Sequence, residues 1–353
     1  MGYITSEAEI REAIGTPPDT VYIKKISLLE EHSKRYLEMS HLIAITAKNI
    51  LNRIHLVATQ QSKMVIVDDT KFTLKVKNIA ETLTPIQDEP CGLYVLVAGF
   101  EESLRINGKV CIIIRGDGIA VIEIKIDELY FHCAKSIKRS QFWTSVDDTF
   151  SMSNPLEETE FFDSNIKDFI QKSPFLLLST QNQKGEADLS PRGDPNGFLR
   201  VLDGHIVLIP ERPGNKIADS LRNIVANSSM AIILFVPGTK LSLILIGNGK
   251  LTTSHAVLSA FEIRNKIPKI GIELTVKKTY FGINPALADQ DLWDKSGFGD
   301  RSVFPSLGMI VSEQLQSAGK IPGSGSVIGR VFGKVVGAAS DIAIKKDYKK
   351  NMY

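Results

Sequence analysis

Apolar residues recur along this chain with two different periods, and the switch from one to the other happens twice in the same way. In LLEEHSKRYLEMSHLIAIT (Leu28 to Thr46) apolar positions three and four apart predict an amphipathic helix that runs into a short apolar strand. FFDSNIKDFIQKSPFLLLST (Phe161 to Thr180) shows the same pattern. LYVLVAGFEESLRINGKV (Leu93 to Val110) and IILFVPGTKLSLILIGNGKL (Ile232 to Leu251) both read as strand, glycine-containing turn, strand and Gly-Lys. VIEIKIDELYF (Val121 to Phe131) and GIELTVKKTYF (Gly271 to Phe281) both read as a strand of alternating polarity. The blocks come in the same order, so the pattern predicts a tandem duplication. Strands separated by Gly, Pro and Asn turns, with few long helices, predict a mainly β fold with flanking helices (α+β) and small closed or partly closed barrels. Two such units in one chain are expected to pack as an intrachain pseudo-dimer. The expected division is a first barrel unit at 1–145, a linker at 146–160, a second unit at 161–310 and a Gly-rich, helical or flexible tail at 311–353.

The copies diverge in one informative place. YFHCAKSIKRSQFW (Tyr130 to Trp143) aligns without a gap to YFGINPALADQDLW (Tyr280 to Trp293), yet His132 faces Gly282, Lys135 faces Pro285 and Arg139 faces Asp289. One copy has kept basic chemistry that the other lacks.

Composition narrows the class without naming a reaction. The 353 residues are enough for two domains, and 43% hydrophobic with 23% charged residues is the composition of a soluble globular protein. A net charge of +2 gives no reason to expect nucleic acid. Three cysteines without metal spacing (Cys91, Cys111, Cys133) argue for reduced thiols and a cytoplasmic setting. The first fifteen residues lack the basic and apolar regions of a signal peptide. His32, His41, His55, His205 and His255 are scattered, so no metal site is expected.

The second unit contains SPRGD (Ser190 to Asp194) and GNKIADSL (Gly214 to Leu221); the first contains SLRINGKV (Ser103 to Val110) and FHCAKSIKRSQFW (Phe131 to Trp143). On these motifs the chain resembles the flavin-binding split-barrel family related to pyridoxamine 5′-phosphate oxidase. The likeness is to a bacterial subgroup carrying S-P-R-G-D, G-N-x-x-x-D-S-L, L-R-x-N-G and H-C-x-K-x-x-x-R-S-x-x-W. It extends over most of residues 4 to 310. Each half lacks the motifs the other keeps: residues 51 to 85 show neither of the first pair, and SLILIGNGK with YFGINPALADQDLW shows neither of the second.

The resemblance implies two tandem FMN-binding split barrels, and family members are usually homodimers with FMN at the interface. It therefore implies one composite site per chain, with Ser190, Arg192, Gly193, Asn215 and Lys216 from the second unit and Arg105, Lys135, Arg139, Ser140 and Trp143 from the first. The residue types suit a phosphate, which needs two or more cations plus hydroxyl or backbone donors. Asn215 and Lys216 are expected at a helix start, where free N–H groups favour an anion. Gly193 and Gly214 are expected to let backbone approach the cofactor. Trp143 is an aromatic wall or, since Trp293 persists in the other copy, simply core. His132 is the candidate proton donor or substrate contact, against a structural role at a strand end. The expected function is FMN-dependent oxidation or reduction of a small organic substrate. The alternative is a non-catalytic flavin- or haem-binding barrel, and a deazaflavin could replace FMN.

In the tail, Gly325, Gly329, Gly333 and Gly337 recur at four-residue spacing, a face suited to close helix packing. Packing on the chain's own body or on a second copy, a membrane-surface helix and a flexible tail are the readings. Arg330, Lys334 and Asp341 argue against a membrane span.

Overall fold

The computed structural model describes residues 2–17, 25–47, 54–59, 64–77, 88–116, 119–144, 150, 153–159, 163–317 and 327–352. Its strands are β1 (Tyr3–Ile4), β2 (Leu42–Ala47), β3 (His55–Ala58), β4 (Met64–Asp68), β5 (Lys71–Lys77), β6 (Glu89–Leu96), β7 (Ser103–Gly116), β8 (Ile119–His132), β9 (Glu157–Thr159), β10 (Phe175–Gln181), β11 (Ala187–Gly193), β12 (Arg200–Leu202), β13 (Ile206–Pro210), β14 (Ser229–Phe235), β15 (Leu241–Thr252) and β16 (Gly271–Ile283). Its α-helices are α1 (Glu7–Ile14), α2 (Glu31–Glu38), α3 (Lys135–Ser140), α4 (Ser164–Lys172), α5 (Asp219–Ala226), α6 (His255–Leu258), α7 (Pro285–Ala288), α8 (Leu307–Ser317) and α9 (Val327–Asn351).

The strands form two antiparallel split-barrel sheets with the same internal order. The first runs β3-β2-β6-β7-β8-β5-β4 and the second β11-β10-β14-β15-β16-β13-β12, with β1 added beside β15 and β9 beside β16. Strands two to eight thus correspond one to one with strands ten to sixteen. Register repeats as well as order. Ser103 pairs with His132 and Arg105 with Tyr130; Ser242 pairs with Gly282 and Ile244 with Tyr280. Each long hairpin carries a bulge at the same point, Asn107/Gly108 and Ile246/Gly247. A Cβ at Gly108 would collide with the Lys125 carbonyl, and one at Gly247 with the Thr275 carbonyl, so only glycine fits either bulge.

The helices ahead of each sheet are set by similar caps. Glu30 accepts from the backbone N–H groups of His32 and Ser33 at the start of α2, and Asp163 accepts from Ile166 at the start of α4. In α4, Ile166, Phe169 and Ile170 form the buried stripe that the i, i+3, i+4 pattern predicts.

The apolar runs of β2 and β10 are continuous because both faces of these strands are buried. Ile43 and Ile45 fill the first barrel, while Leu42 and Ala44 enter a third core between the barrels. Leu176 and Leu178 fill the second barrel, while Phe175 and Leu177 enter the shared core. There Thr46 and Ser179, equivalent positions of the two repeats, hydrogen-bond to each other at 2.7 Å. α3 packs on β11 of the second sheet, and α7 packs reciprocally on β3 of the first. Fully burying a side chain of Leu or Phe size contributes about 1.5–3 kcal/mol, so the shared core binds the two barrels strongly.

The two terminal segments each complete the core of the barrel farther from them in sequence. Ile4 and Ile10, near the start of the chain, belong to the second barrel's core. Phe304, Leu307 and Ile310 belong to the first barrel's core. Helix α8 is held there by Gln314, whose amide donates to Glu30 Oε1 at 2.9 Å and Ser33 Oγ at 3.3 Å. Helix α9 packs on α8: Gly308 N–H donates to Asp341 Oδ1 at 2.8 Å, and a Cβ on Gly308 would meet the Gly337 carbonyl. Gly337 therefore packs on the chain's own body; Gly325 lies outside the described residues. Among the described residues no helix is long and apolar enough to cross a membrane.

Gly108→Ala and Gly247→Ala should each destabilise the protein by about 1–3 kcal/mol, since a methyl forces overpacking against backbone at the bulge. Chemical denaturation followed by circular dichroism measures this. Equal stability of Gly247→Ala and the native chain would show that the bulge can relax.

Candidate functional site

A cavity of about 610 Å³ opens where the first barrel's β7, β8 and α3 meet the second barrel's β11 and the turn leading into α5. Its size lies within the range of roughly 300–1,000 Å³ usual for small-molecule sites. Eight cationic side chains line it against three carboxylates, and apolar surface comes from Ile14, Phe198, Ile217, Leu221, Ile267 and Pro268.

Arg105 stands at its inner wall. Along β7 the neighbouring Leu104 and Ile106 face the first barrel's core, so Arg105 faces the other barrel, where its counterpart Ile244 sits in shared apolar core. A guanidinium that is 3% exposed at such a position needs counter-charges. It pairs with Asp188 and lies 3.6 Å from Asp219, both on the second barrel. It also donates to Tyr130 Oη at 2.8 Å and Ser190 Oγ at 3.0 Å. Ser190 and Ser220 hydroxyls in turn donate to Asp188 Oδ2 at 2.9 and 3.1 Å. Burial works to raise the Asp219 carboxyl, but Arg105, Lys25 and Arg222 outweigh it and hold the group below its ordinary value of 3.8. Burial raises the Tyr130 phenol far enough, despite Arg105, that it stays protonated at neutral pH.

Further out, Arg192 pairs with Glu211 at 2.8 Å and Arg212 with Asp194 at 2.5 Å. From the first barrel, Arg139 reaches across to donate to the Pro213 carbonyl at 3.0 Å. Residues 213–218 form a strained turn in which Lys216 (φ 62°) and Ala218 (φ 63°) both take the left-handed conformation. Besides Arg139, three contacts hold it. Asn215 Oδ1 accepts from the Ile217 N–H at 3.0 Å, and Arg11 of α1 donates to the Lys216 and Ile217 carbonyls at 2.7 and 3.1 Å.

Of the positions expected from sequence, Arg105, Lys135, Arg139, Ser190, Arg192, Gly193, Asn215 and Lys216 all line the cavity, as does His132. Ser140 and Trp143 do not. Ser140 is buried with its hydroxyl donating to the Ile137 carbonyl, and Trp143 lies in the shared core with its indole N–H on the Phe100 carbonyl at 2.5 Å. The core reading of Trp143 is the one the packing favours, and Trp293 lies in the same core. Gly193 has a different cause from the one expected: a Cβ there would collide with the Ser136 carbonyl, so the glycine admits α3 of the other barrel. A Cβ on Gly214 would meet nothing closer than 4.0 Å. Lys216 and Asn215 lie ahead of helix α5, which starts at Asp219. His132 is flanked by the Tyr94 and Tyr130 rings and places Nδ1 3.2 Å from the Cys133 carbonyl oxygen.

Sequence reasoning missed Asp188, Glu211, Asp219, Arg212 and Arg11. It also missed the connection between β15 and β16. This is eighteen residues long where the corresponding β7–β8 connection has two, and its segment Asn265 to Lys269 lines the cavity. The length difference between the copies was visible in the alignment; the carboxylates carried no motif of their own beyond the aspartate of D-S-L.

The profile of a family described as Pyridoxamine 5′-phosphate oxidase matches residues 162–288. No curated protein matches. Similar solved structures include HupZ of Group A Streptococcus, 19% identical over 35% of this chain and 98% of its own with a TM-score of 0.29. A FAD binding protein from Mycobacterium smegmatis is 12% identical over 35% of this chain and 97% of its own, TM-score 0.26. A protein from Clostridium acetobutylicum related to general stress protein 26 of B. subtilis is 8% identical over 34% and 86%, TM-score 0.26.

Arg105→Ala should lower stability by about 3–5 kcal/mol, because it strands buried carboxylates. Adding Asp188→Ala should recover part of the loss; denaturation of the single and double variants checks this. Asp219, with a lowered pKa in the folded state, stabilises fully above the ordinary value and loses that contribution as pH falls through the lower folded value. The stability gap between the native chain and Asp219→Asn should thus be constant from about pH 8 to 5 and narrow below about pH 4. A gap that shrinks already near neutral pH would contradict an ionised Asp219.

Proposed function

We propose that this chain, whose residues 162–288 match the pyridoxamine 5′-phosphate oxidase family, is a flavin-dependent oxidoreductase holding one FMN in a composite site between its two halves. The observation that carries the reading is that the cations of the cavity come from both barrels. Arg105, Lys135 and Arg139 come from the first, and Arg192, Arg212 and Lys216 from the second.

The donor set fits a flavin mononucleotide. Arg139, Lys135 and Lys216 would hold the phosphate, with Ser190 and Asn215 as polar neighbours, and Ile217, Leu221, Ile267 and Pro268 would face the ring system. A bound flavin supplies two-electron redox chemistry, accepting hydride from a reduced small molecule and passing electrons to oxygen or another acceptor. The chain itself supplies position and field. Arg105 is held by four groups, Asp188, Asp219, Tyr130 and Ser190, so its charge stands preorganised at the inner wall. Tyr130 keeps its proton there. His132, at the rim between two tyrosines, is the group placed to hand a proton to or from a substrate. The segment Asn265 to Lys269 limits the cavity on the substrate side.

Among the described residues, the pseudo-symmetric position has no counterpart of Arg105, Lys135 or Arg139, whose places are taken by Ile244, Pro285 and Asp289. Ile244, Ala286 and Leu287, the counterparts of Arg105, Ser136 and Ile137, are buried in the shared core. One site per chain is therefore the expected stoichiometry.

The test is the absorbance spectrum of purified protein reconstituted with FMN, with Arg139→Ala and Lys216→Ala variants alongside. About one FMN per chain, weakened at least tenfold in both variants, is expected from loss of a charge-assisted contact. Two per chain, or weakening in only one variant, would sink the composite site. A haem spectrum would point instead to His132 as an axial ligand and to the non-catalytic alternative.

A further inference from the structure

Lys135 and Arg139 stand one helical turn apart on α3, where side chains at i and i+4 share a face. Both are buried, at 4% and 8% exposure, although they carry the charge meant for an anion. What covers them is the end of the chain itself. Asp347 of α9 places Oδ2 2.5 Å from Lys135 Nζ, and the carbonyl of Met352 accepts from Arg139 Nε at 2.6 Å. Between them Tyr348 lays its ring near the ammonium groups of Lys135 and Lys138, and its hydroxyl accepts from the Ala134 N–H at 2.9 Å. Asp347 is itself half exposed, so its carboxylate reaches in from the surface to supply the counter-charge for the lysine that the helix covers.

We infer that the last turn of α9 is a self-supplied anionic plug, which competes with the anionic group of the ligand for Lys135 and Arg139. The identity of that ligand rests on the flavin reading; the competition does not. One carboxylate and one carbonyl oxygen occupy the two cations, and a phosphate offers the same kind of acceptor with more charge. A phosphate that engages both cations must displace Asp347 and Met352. By linkage, docking of the tail weakens anion binding by the same factor that anion binding loosens the tail. The plug thus sets a threshold below which the cavity stays closed to anions.

The full-length chain and its Asp347→Ala and Tyr348→Phe variants are titrated with inorganic phosphate and, separately, with FMN. Asp347→Ala should bind phosphate about fivefold or more tightly than the native chain, the size of an ordinary site-to-site coupling. Tyr348→Phe, which loses only the hydroxyl that meets Ala134, should shift affinity the same way by less. Amide exchange over residues 344–352 of the native chain should quicken on adding phosphate. Phosphate affinity unchanged or weakened in Asp347→Ala overturns the plug, and in the weakened case makes the tail part of the binding wall. If phosphate behaves as expected but FMN binds neither form, the plug stands and the flavin reading falls.

Discussion

A guanidinium buried between two barrels must find its counter-charges across the boundary, and the arrangement around Arg105 follows from that requirement. Its strand register gives it no access to its own barrel core, and it faces the cavity between the barrels instead. Two carboxylates, the Ser190 hydroxyl ordered by one of them, and a phenol converge on it from both barrels. Such a cluster is worth little as net stability against an apolar replacement, but removing any one member is costly. It therefore fixes how the barrels meet more than how tightly. The apolar core supplies the adhesion, and Arg105 allows only one seating of the cavity walls.

The opposite pseudo-symmetric position shows the other solution to the same packing problem. Ile244 fills the place of Arg105 with hydrocarbon, and no carboxylate is required. Gly282 has a separate cause: its φ is +149°, and a Cβ would collide with the Pro155 carbonyl where the connection between the repeats passes. The loss of the histidine found at position 132 in the other copy is thus imposed by the connecting segment. Pro285 opens α7 at a position where proline is well tolerated, capped by Asn284. Of the positions that lack the basic side chains of the other copy, Ile244 is buried in the shared core, whereas Pro285 and Asp289 are exposed.

Much of this was legible beforehand. Repeated blocks and the ungapped Tyr-Phe to Trp alignment predicted a duplication, because the periodicity of each element is written in local pattern; strand order, register and bulges came only with the structure. Lys135, Arg139 and Lys216 could be picked out because they sit in motifs. Asp188 and Glu211 could not, since an ion pair between distant parts of the chain leaves no periodicity. Trp143 and Ser140 misled for a related reason. Adjacent positions on a six-residue helix and its exit face opposite ways, and sequence spacing alone does not say which face meets the cavity. Arg11 was invisible because its partners at the turn are backbone carbonyls, which every residue possesses.

The crossing of the terminal segments reaches beyond the finished fold. The first barrel's core is completed by Phe304, Leu307 and Ile310, and the second barrel's core by Ile4 and Ile10. During synthesis the first sheet emerges early, yet it waits through the whole second repeat for the side chains that close it. The opening segment, made first, has no barrel to cover until the hairpin of β15 and β16 has left the ribosome. Neither half can mature as an independent unit ahead of the other, so the nascent chain passes through a long interval with open apolar surface. Chaperone demand should concentrate in that interval.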